Sequence, residues 1–209
     1  MVPIPLGPDD SCLDFVNTRY WRGRTAPTET LGGMQEALDW CAGPGRAPPA
    51  AVAALARLWQ AAPEGEMAAR AAAHGSLIAL REALFRLLAA AAGGQGAAAA
   101  DLAVFNRALG EAAPRRRLAE AGDAYAWDLD PATASVAAVL SPVLWSAADL
   151  LAGRRRGHLR QCANPECRWM FLDDSKSGDR RWCTMSACGN RAKARRHYLK
   201  VKAEKEVLF

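Results

Sequence analysis

Four of the six cysteines lie at matched spacings in the last quarter of the chain, and they constrain the fold more than any other feature. The pairs Cys162/Cys167 and Cys183/Cys188 form the pattern C-x4-C-x15-C-x4-C. Two short-spaced thiol pairs joined by such a spacer can place four sulfurs tetrahedrally around one ion. Unpaired core thiols and two disulfides are the alternatives, but disulfides need an oxidising compartment, which nothing else in the chain indicates. The spacing therefore predicts one structural Zn2+ ion.

The residues around these cysteines predict a small α+β module. Residues 168–172 are typical of a short apolar strand, residues 173–179 of a turn, and residues 180–182 of the returning partner strand. Residues 190–201 contain neither Pro nor Gly and predict a helix that begins just after the last cysteine. This treble-clef-like order of knuckle, hairpin and helix relies on the metal, because about forty residues bury too little apolar surface on their own.

Charge is distributed unevenly along the chain. From residue 154 onward there are fifteen Lys and Arg against six Asp and Glu, a formal charge of +9. Residues 1–153 carry twelve Lys and Arg against sixteen Asp and Glu, a charge of −4. The two parts together give the +5 of the whole chain. Two parts of opposite sign indicate that the basic part meets a polyanion.

The predicted final helix carries the basic side chains that we expect to contact nucleic acid: Arg191, Lys193, Arg195, Arg196 and Lys200. Binding that rests on such charges weakens steeply as salt is added. DNA is one candidate partner. RNA is an alternative because the interleaved aromatic residues can stack on unpaired bases, and a zinc-scaffolded protein-interaction module is another. Arg191 lies in the first turn of this predicted helix, and the alternative for it is a hydrogen bond with the backbone near the metal.

Two motifs resemble known families. The stretch RRWCTMSACGNRAKARRHY, with CGNR at residues 188–191, closely resembles the CGNR zinc finger. CLDFVNT at residues 12–18 resembles the hallmark of the ABATE domain, which precedes that zinc finger in bacterial proteins. The resemblance covers nearly the whole chain. It implies that the four cysteines are the zinc ligands and that the protein is a DNA-binding regulator of stress-induced transcription, with RNA binding as the alternative.

The remaining sequence predicts a mainly helical N-terminal domain over residues 1–153, followed by the zinc module over residues 154–209. Apolar residues at helical spacing run through residues 77–88, and a short β-hairpin is expected within residues 115–129. The helical domain is expected to sense a signal or to form a homodimer. Thus the predicted fold class is mainly α, with an attached α+β zinc module.

A cluster of polar and basic residues follows the CLDFVNT motif. Asn17, Arg19, Arg22 and Arg24 are candidates for a pocket that binds a small anionic effector. The alternative is that these residues form a helix end and a surface loop, because loops collect such side chains without a binding role.

Several classes of protein are disfavoured. The chain has no P-loop, no dinucleotide-binding glycine motif, no HExxH and no nucleophile elbow. A site closed by four thiolates also leaves no open coordination position, so an enzyme is not expected. The sequence shows neither a signal peptide nor a membrane-spanning run, and a cytoplasmic location without membrane association is expected.

Overall fold

The computed structural model describes residues 10–43, 46–61, 67–121, 124–128 and 135–206. In these ranges the helices are α1 (Ser11–Val16), α2 (Met34–Cys41), α3 (Pro49–Ala61), α4 (Met67–Ala92), α5 (Ala99–Glu111), α6 (Val136–Val139), α7 (Ser141–Ala152) and α8 (Asn190–Glu206). The strands are β1 (Arg19–Tyr20), β2 (Thr28–Glu29), β3 (Arg117–Ala121), β4 (Ala124–Asp128), β5 (Leu159–Gln161) and β6 (Met170–Leu172). They form three antiparallel pairs, β1–β2, β3–β4 and β5–β6.

The mainly helical fold class predicted from sequence is confirmed. The hairpin predicted within residues 115–129 is present as β3–β4, with Leu118 paired to Trp127. The apolar spacing of Leu31, Met34 and Leu38 predicts a helix over residues 28–40, but the helix begins at Met34. Thr28 and Glu29 form β2, which pairs with β1. Gly32 and Gly33 lie between β2 and α2. None of the helices in the described ranges has the length and apolar character needed to cross a bilayer.

The long helix α4 supplies the centre of the hydrophobic core. Its apolar seam is buried as the helical spacing predicts, with Leu84 and Leu88 fully inaccessible. Phe105 of α5 and Val143 and Leu144 of α7 lie in the same cluster. Helical periodicity of apolar residues is therefore sufficient to find this face of the core.

The core extends into the zinc module. Leu159 of β5 and Met170 and Leu172 of β6 belong to the same buried cluster as α4 and α7, and they are 0, 1 and 7% exposed. Burial of such side chains stabilises a fold by about 1.5–3 kcal/mol each. The module is thus packed onto the helical domain through a common core, not tethered to it by a linker.

The predicted partner of the β6 strand is wrong. Residues 180–182 do not return along it; β6 pairs instead with β5, which lies before the first cysteine, in the register Arg160 to Phe171. The spacer is folded by Asp173, whose buried carboxylate accepts bonds from the backbone of Ser175 (3.1 Å) and Arg180 (2.8 Å). These bonds turn the chain away from the β6 edge.

A buried ionic network fixes the segment after α1 against α4. Arg81, which is 0% exposed, donates two hydrogen bonds to Glu29, at 2.6 and 2.5 Å, and one to Thr18 at 3.1 Å. Its neighbour Glu82 accepts from Arg22 at 2.6 Å. Burial favours a higher pKa for Glu82, but the hydrogen bonds and charges of Arg22 and Arg81 outweigh it, so the pKa is lowered. The carboxylate therefore stays charged in this cluster.

Candidate metal centre and nucleic-acid interface

The four predicted zinc ligands converge on one point. The Sγ atoms of Cys162, Cys167, Cys183 and Cys188 all lie within 4.8 Å of one another. The distance from Cys167 Sγ to Cys183 Sγ is 3.8 Å, and that from Cys183 Sγ to Cys188 Sγ is 3.7 Å. A tetrahedral site with Zn–S bonds of about 2.3 Å has edges of about 3.8 Å. The thiols therefore fit a closed four-thiolate zinc site, and the chain carries one structural zinc ion.

Asn164 shapes the loop that joins the first pair of ligands. Its Oδ1 accepts from the backbone N of Glu166 at 3.1 Å, and its carbonyl oxygen accepts from the N of Cys167 at 2.9 Å. Its Nδ2 donates to Cys188 Sγ at 3.4 Å, so the same side chain also contacts the second pair. Arg168 leaves the loop in a left-handed conformation with φ of 55°. Asn164-Pro165 is a dipeptide typical of turns, but sequence reasoning missed the bond from Asn164 to sulfur.

The second pair of ligands is set by the start of the last helix. Thr184 Oγ1 accepts from the N of Ala187 at 3.2 Å and caps a turn of π-helix, Met185–Gly189, that runs directly into α8. Cys188 lies in this turn, 1% exposed. The last ligand is thus placed directly before the first turn of α8.

The protonation preferences of the thiols indicate how a cation would be held. The pKa of Cys162 is lowered to about 5, first by the hydrogen bond from Cys167, whose own pKa is raised by the same bond. Burial raises the pKa of Cys183 to about 12. Among Cys162, Cys167 and Cys183 one thiolate is thus favoured, and further negative charge is disfavoured. A divalent cation at the centre supplies the charge that all four thiolates require.

The predicted nucleic-acid residues lie on α8. The side chains of Arg191, Lys193, Arg195 and Arg196 are exposed, and the side chain of Lys200 lies outside the described residues. Within the described part of the chain, no carboxylate forms an ion pair with any of the four. Arg191 differs from the others because its guanidinium lies 4.5 Å above the ring of Trp21.

A groove of about 410 Å3 runs between α8 and the Asn164 loop. The basic residues that line it are Arg191, Arg195 and Arg196, and the apolar lining residues include Trp182 and Leu199. On a helix of 3.6 residues per turn, Lys193 lies about 160° around the helix from Arg191 and Arg195 but only about 60° from Arg196. The basic side chains of α8 thus extend from the edge of the groove to Lys193, which lies outside the groove lining.

The four residues predicted to form an effector pocket lie at the junction between the helical domain and the zinc module. The Asn17 side chain donates to the carbonyl of Met170 at 2.8 Å and accepts from its N–H at 2.9 Å. Arg19 and Arg22 contact Glu82, and Arg24 contacts Glu166 at 2.9 Å. The four side chains therefore have protein partners, and a pocket for an anion at these residues stays a prediction.

The junction includes two residues that sequence reasoning missed. Trp21 packs against the cysteine cluster, between the guanidinium groups of Arg24 at 4.0 Å and Arg191 at 4.5 Å. Gly23 donates its N–H to the carbonyl of Glu166 at 3.0 Å. A glycine and a tryptophan between arginines are the signal in the sequence, but nothing local identifies the surface that they contact.

The geometry defines a class of protein: a helical domain packed on a four-cysteine zinc module that bears a basic helix. Residues 9–154 match the ABATE family, described as "Putative stress-induced transcription regulator", and residues 158–200 match the CGNR zinc finger. The chain therefore belongs to the ABATE family and ends in a CGNR zinc finger, neither of which is a family of enzymes. A comparison with curated proteins gave no match.

Proposed function

We propose that this protein is a transcription regulator that binds duplex DNA through α8. The observation that carries the proposal is the exposure of this helix: its 17 residues, Asn190–Glu206, extend from the zinc site, and every side chain from Lys193 to Leu199 is exposed. An α-helix fits the major groove, and Arg and Lys are the usual contacts to phosphates and guanines. The zinc ion would fix the orientation of this helix.

The groove beside α8 supports RNA as a second candidate. Trp182 offers a flat apolar face next to Arg195 and Arg196. Single-stranded binding sites combine aromatic stacking with a positively charged groove. A single strand would therefore use the groove face, whereas a duplex would also contact the face that carries Lys193.

Replacing Arg195 and Arg196 together with Glu is expected to weaken DNA binding about tenfold or more at low salt. The slope of log affinity against log salt should fall by about two, since two phosphate contacts are lost. Fluorescence anisotropy with a labelled duplex over a salt series measures both quantities, and unlabelled single-stranded RNA as competitor separates the two candidates.

The matched control reverses two exposed arginines of the helical domain, Arg107 and Arg116, to Glu. This variant has the same net charge as the first, so any difference between them reports position and not total charge. Equal affinities for the two variants, or no affinity of the parent protein at low salt, would contradict the proposal.

A further inference from the structure

A cavity separate from α8 lies where the helical domain meets the zinc module. Its volume is about 350 Å3, within the range typical of small-molecule sites. Trp169, which follows the ligand Cys167 by two residues, forms one wall. The opposite walls come from the helical domain, including Trp40 of α2 and Tyr20 of β1.

The walls of this cavity are aromatic. Tyr20 and Trp169 stack across the junction with ring centroids 5.0 Å apart, and Trp40 packs on Phe15 with centroids 5.4 Å apart. These internal contacts hold the rings in place. A preformed aromatic pocket favours a ligand with an apolar or planar group.

Two groups of opposite charge line the same cavity. The Asp14 carboxylate is exposed and has no hydrogen-bond partner among the described residues, and the Arg46 guanidinium lies 4.8 Å above the Trp40 ring. Partial burial raises the pKa of Asp14, and the charge of Arg46 acts on it in the opposite direction. Arg46 donates one hydrogen bond to the carbonyl of Trp40 at 3.2 Å, and its remaining N–H groups form no hydrogen bond with the described residues. Other polar lining groups bond within the protein: Asn17 to Met170 and Thr30 to the carbonyl of Thr18.

We propose that this cavity binds a small zwitterion, an amino acid with an apolar or aromatic side chain. The ligand ammonium group would pair with Asp14, its carboxylate with Arg46, and its side chain would lie between Trp40 and Trp169. The two opposite charges match the ammonium and carboxylate groups of such a ligand, and the aromatic walls match its side chain. Binding here is independent of whether α8 contacts DNA.

A bound ligand touches both parts of the protein. Trp169 belongs to the zinc module, and its carbonyl oxygen accepts a hydrogen bond from the backbone N–H of the zinc-binding residue Cys162 at 2.8 Å. Asp14 and Arg46 belong to the helical domain. The occupied pocket therefore stabilises the junction, and the melting temperature of the zinc-loaded protein should rise with ligand concentration.

Isothermal titration of the full zinc-loaded chain with L-phenylalanine, L-leucine and L-tryptophan tests the site. Phenethylamine and 3-phenylpropionate are the matched probes that lack one charge each. We expect saturable binding of at least one amino acid. Each of the two probes, which lack one charge, should bind about ten- to hundredfold more weakly. Asp14→Asn and Arg46→Gln should each reproduce that loss.

Asp39→Asn is the control, since it removes an exposed carboxylate from the helix that carries Trp40 without touching the cavity. It should bind as the parent protein does. The proposal is overturned if no amino acid binds at concentrations up to about 1 mM. It is also overturned if phenethylamine binds as tightly as L-phenylalanine, or if Asp14→Asn has no effect.

Discussion

Replacing Cys188 with Ser is expected to release the zinc ion and to unfold residues 159–206 at neutral pH. Zinc binding contributes about 10–16 kcal/mol to the folding of small zinc modules, whereas whole domains are stable by only about 5–15 kcal/mol. Cys188 lies 3.7 Å from Cys183 and accepts from Asn164, so its loss breaks both the tetrahedron and the link between the two loops.

The loss should spread beyond the module. Leu159, Met170 and Leu172 cover the core of the helical domain, and their exposure removes about 5–9 kcal/mol of hydrophobic stabilisation as an upper estimate. We therefore expect amide hydrogen exchange to accelerate in α4 and α7 as well as in residues 159–206. Zinc content per chain and hydrogen exchange measure the two effects.

Cys41→Ala is the matched control for loss of a thiol. Cys41 is 1% exposed in the helical core, away from the cluster, so this variant should keep one zinc ion per chain. A Cys188→Ser protein that retains its zinc, or that keeps the protection of residues 159–172 after chelation, would contradict the structural role of the metal.

The second prediction concerns the close approach of the helical domain to the zinc module. A methyl group added at Gly23 would lie 1.8 Å from the carbonyl oxygen of Pro165 and 3.0 Å from Cα of Glu166. Both atoms belong to the backbone, so no change of side-chain rotamer can relieve the contact. Gly23→Ala is therefore expected to open the junction and to lower the free energy of unfolding by about 2–3 kcal/mol.

Gly32→Ala provides the control, because a methyl group at Gly32 meets nothing within 4 Å. Urea unfolding of the two variants measures the difference. Zinc content should stay at one ion per chain in both, since all four ligands lie within residues 162–188; this separates opening of the junction from loss of metal. Equal stability of the two variants would contradict the predicted clash.

Asn17→Ala tests the same junction by a different interaction. It leaves the N–H and the carbonyl of Met170 buried without their partner, and an unsatisfied buried group costs about 1–3 kcal/mol. Once Gly23→Ala has opened the junction, the added cost of Asn17→Ala should be smaller than in the parent protein, because the two residues hold the same surfaces together.

Local patterns in the sequence were sufficient for the metal site and much of the helical core. Cysteine spacing identified all four ligands, because two cysteines separated by a short loop can both face one ion, and the chain has two such pairs. The spacing of leucines along α4 identified the buried face, because a helix repeats every 3.6 residues. The β3–β4 hairpin followed from adjacent strands joined by a turn. In each case the pattern that made the prediction lies among residues that are close together along the chain.

Only the tertiary structure decided how the two parts join. Asn17 and Met170 are 153 positions apart in sequence, and neither residue type specifies such a partner. The pairing of β6 with β5 was missed because a short apolar strand accepts either edge, and the choice rests on how Asp173 folds the spacer. The need for glycine at residue 23 depends on the backbone of residues 165 and 166. A sequence records the local preferences of each segment, whereas contacts between distant segments exist only once the chain has packed.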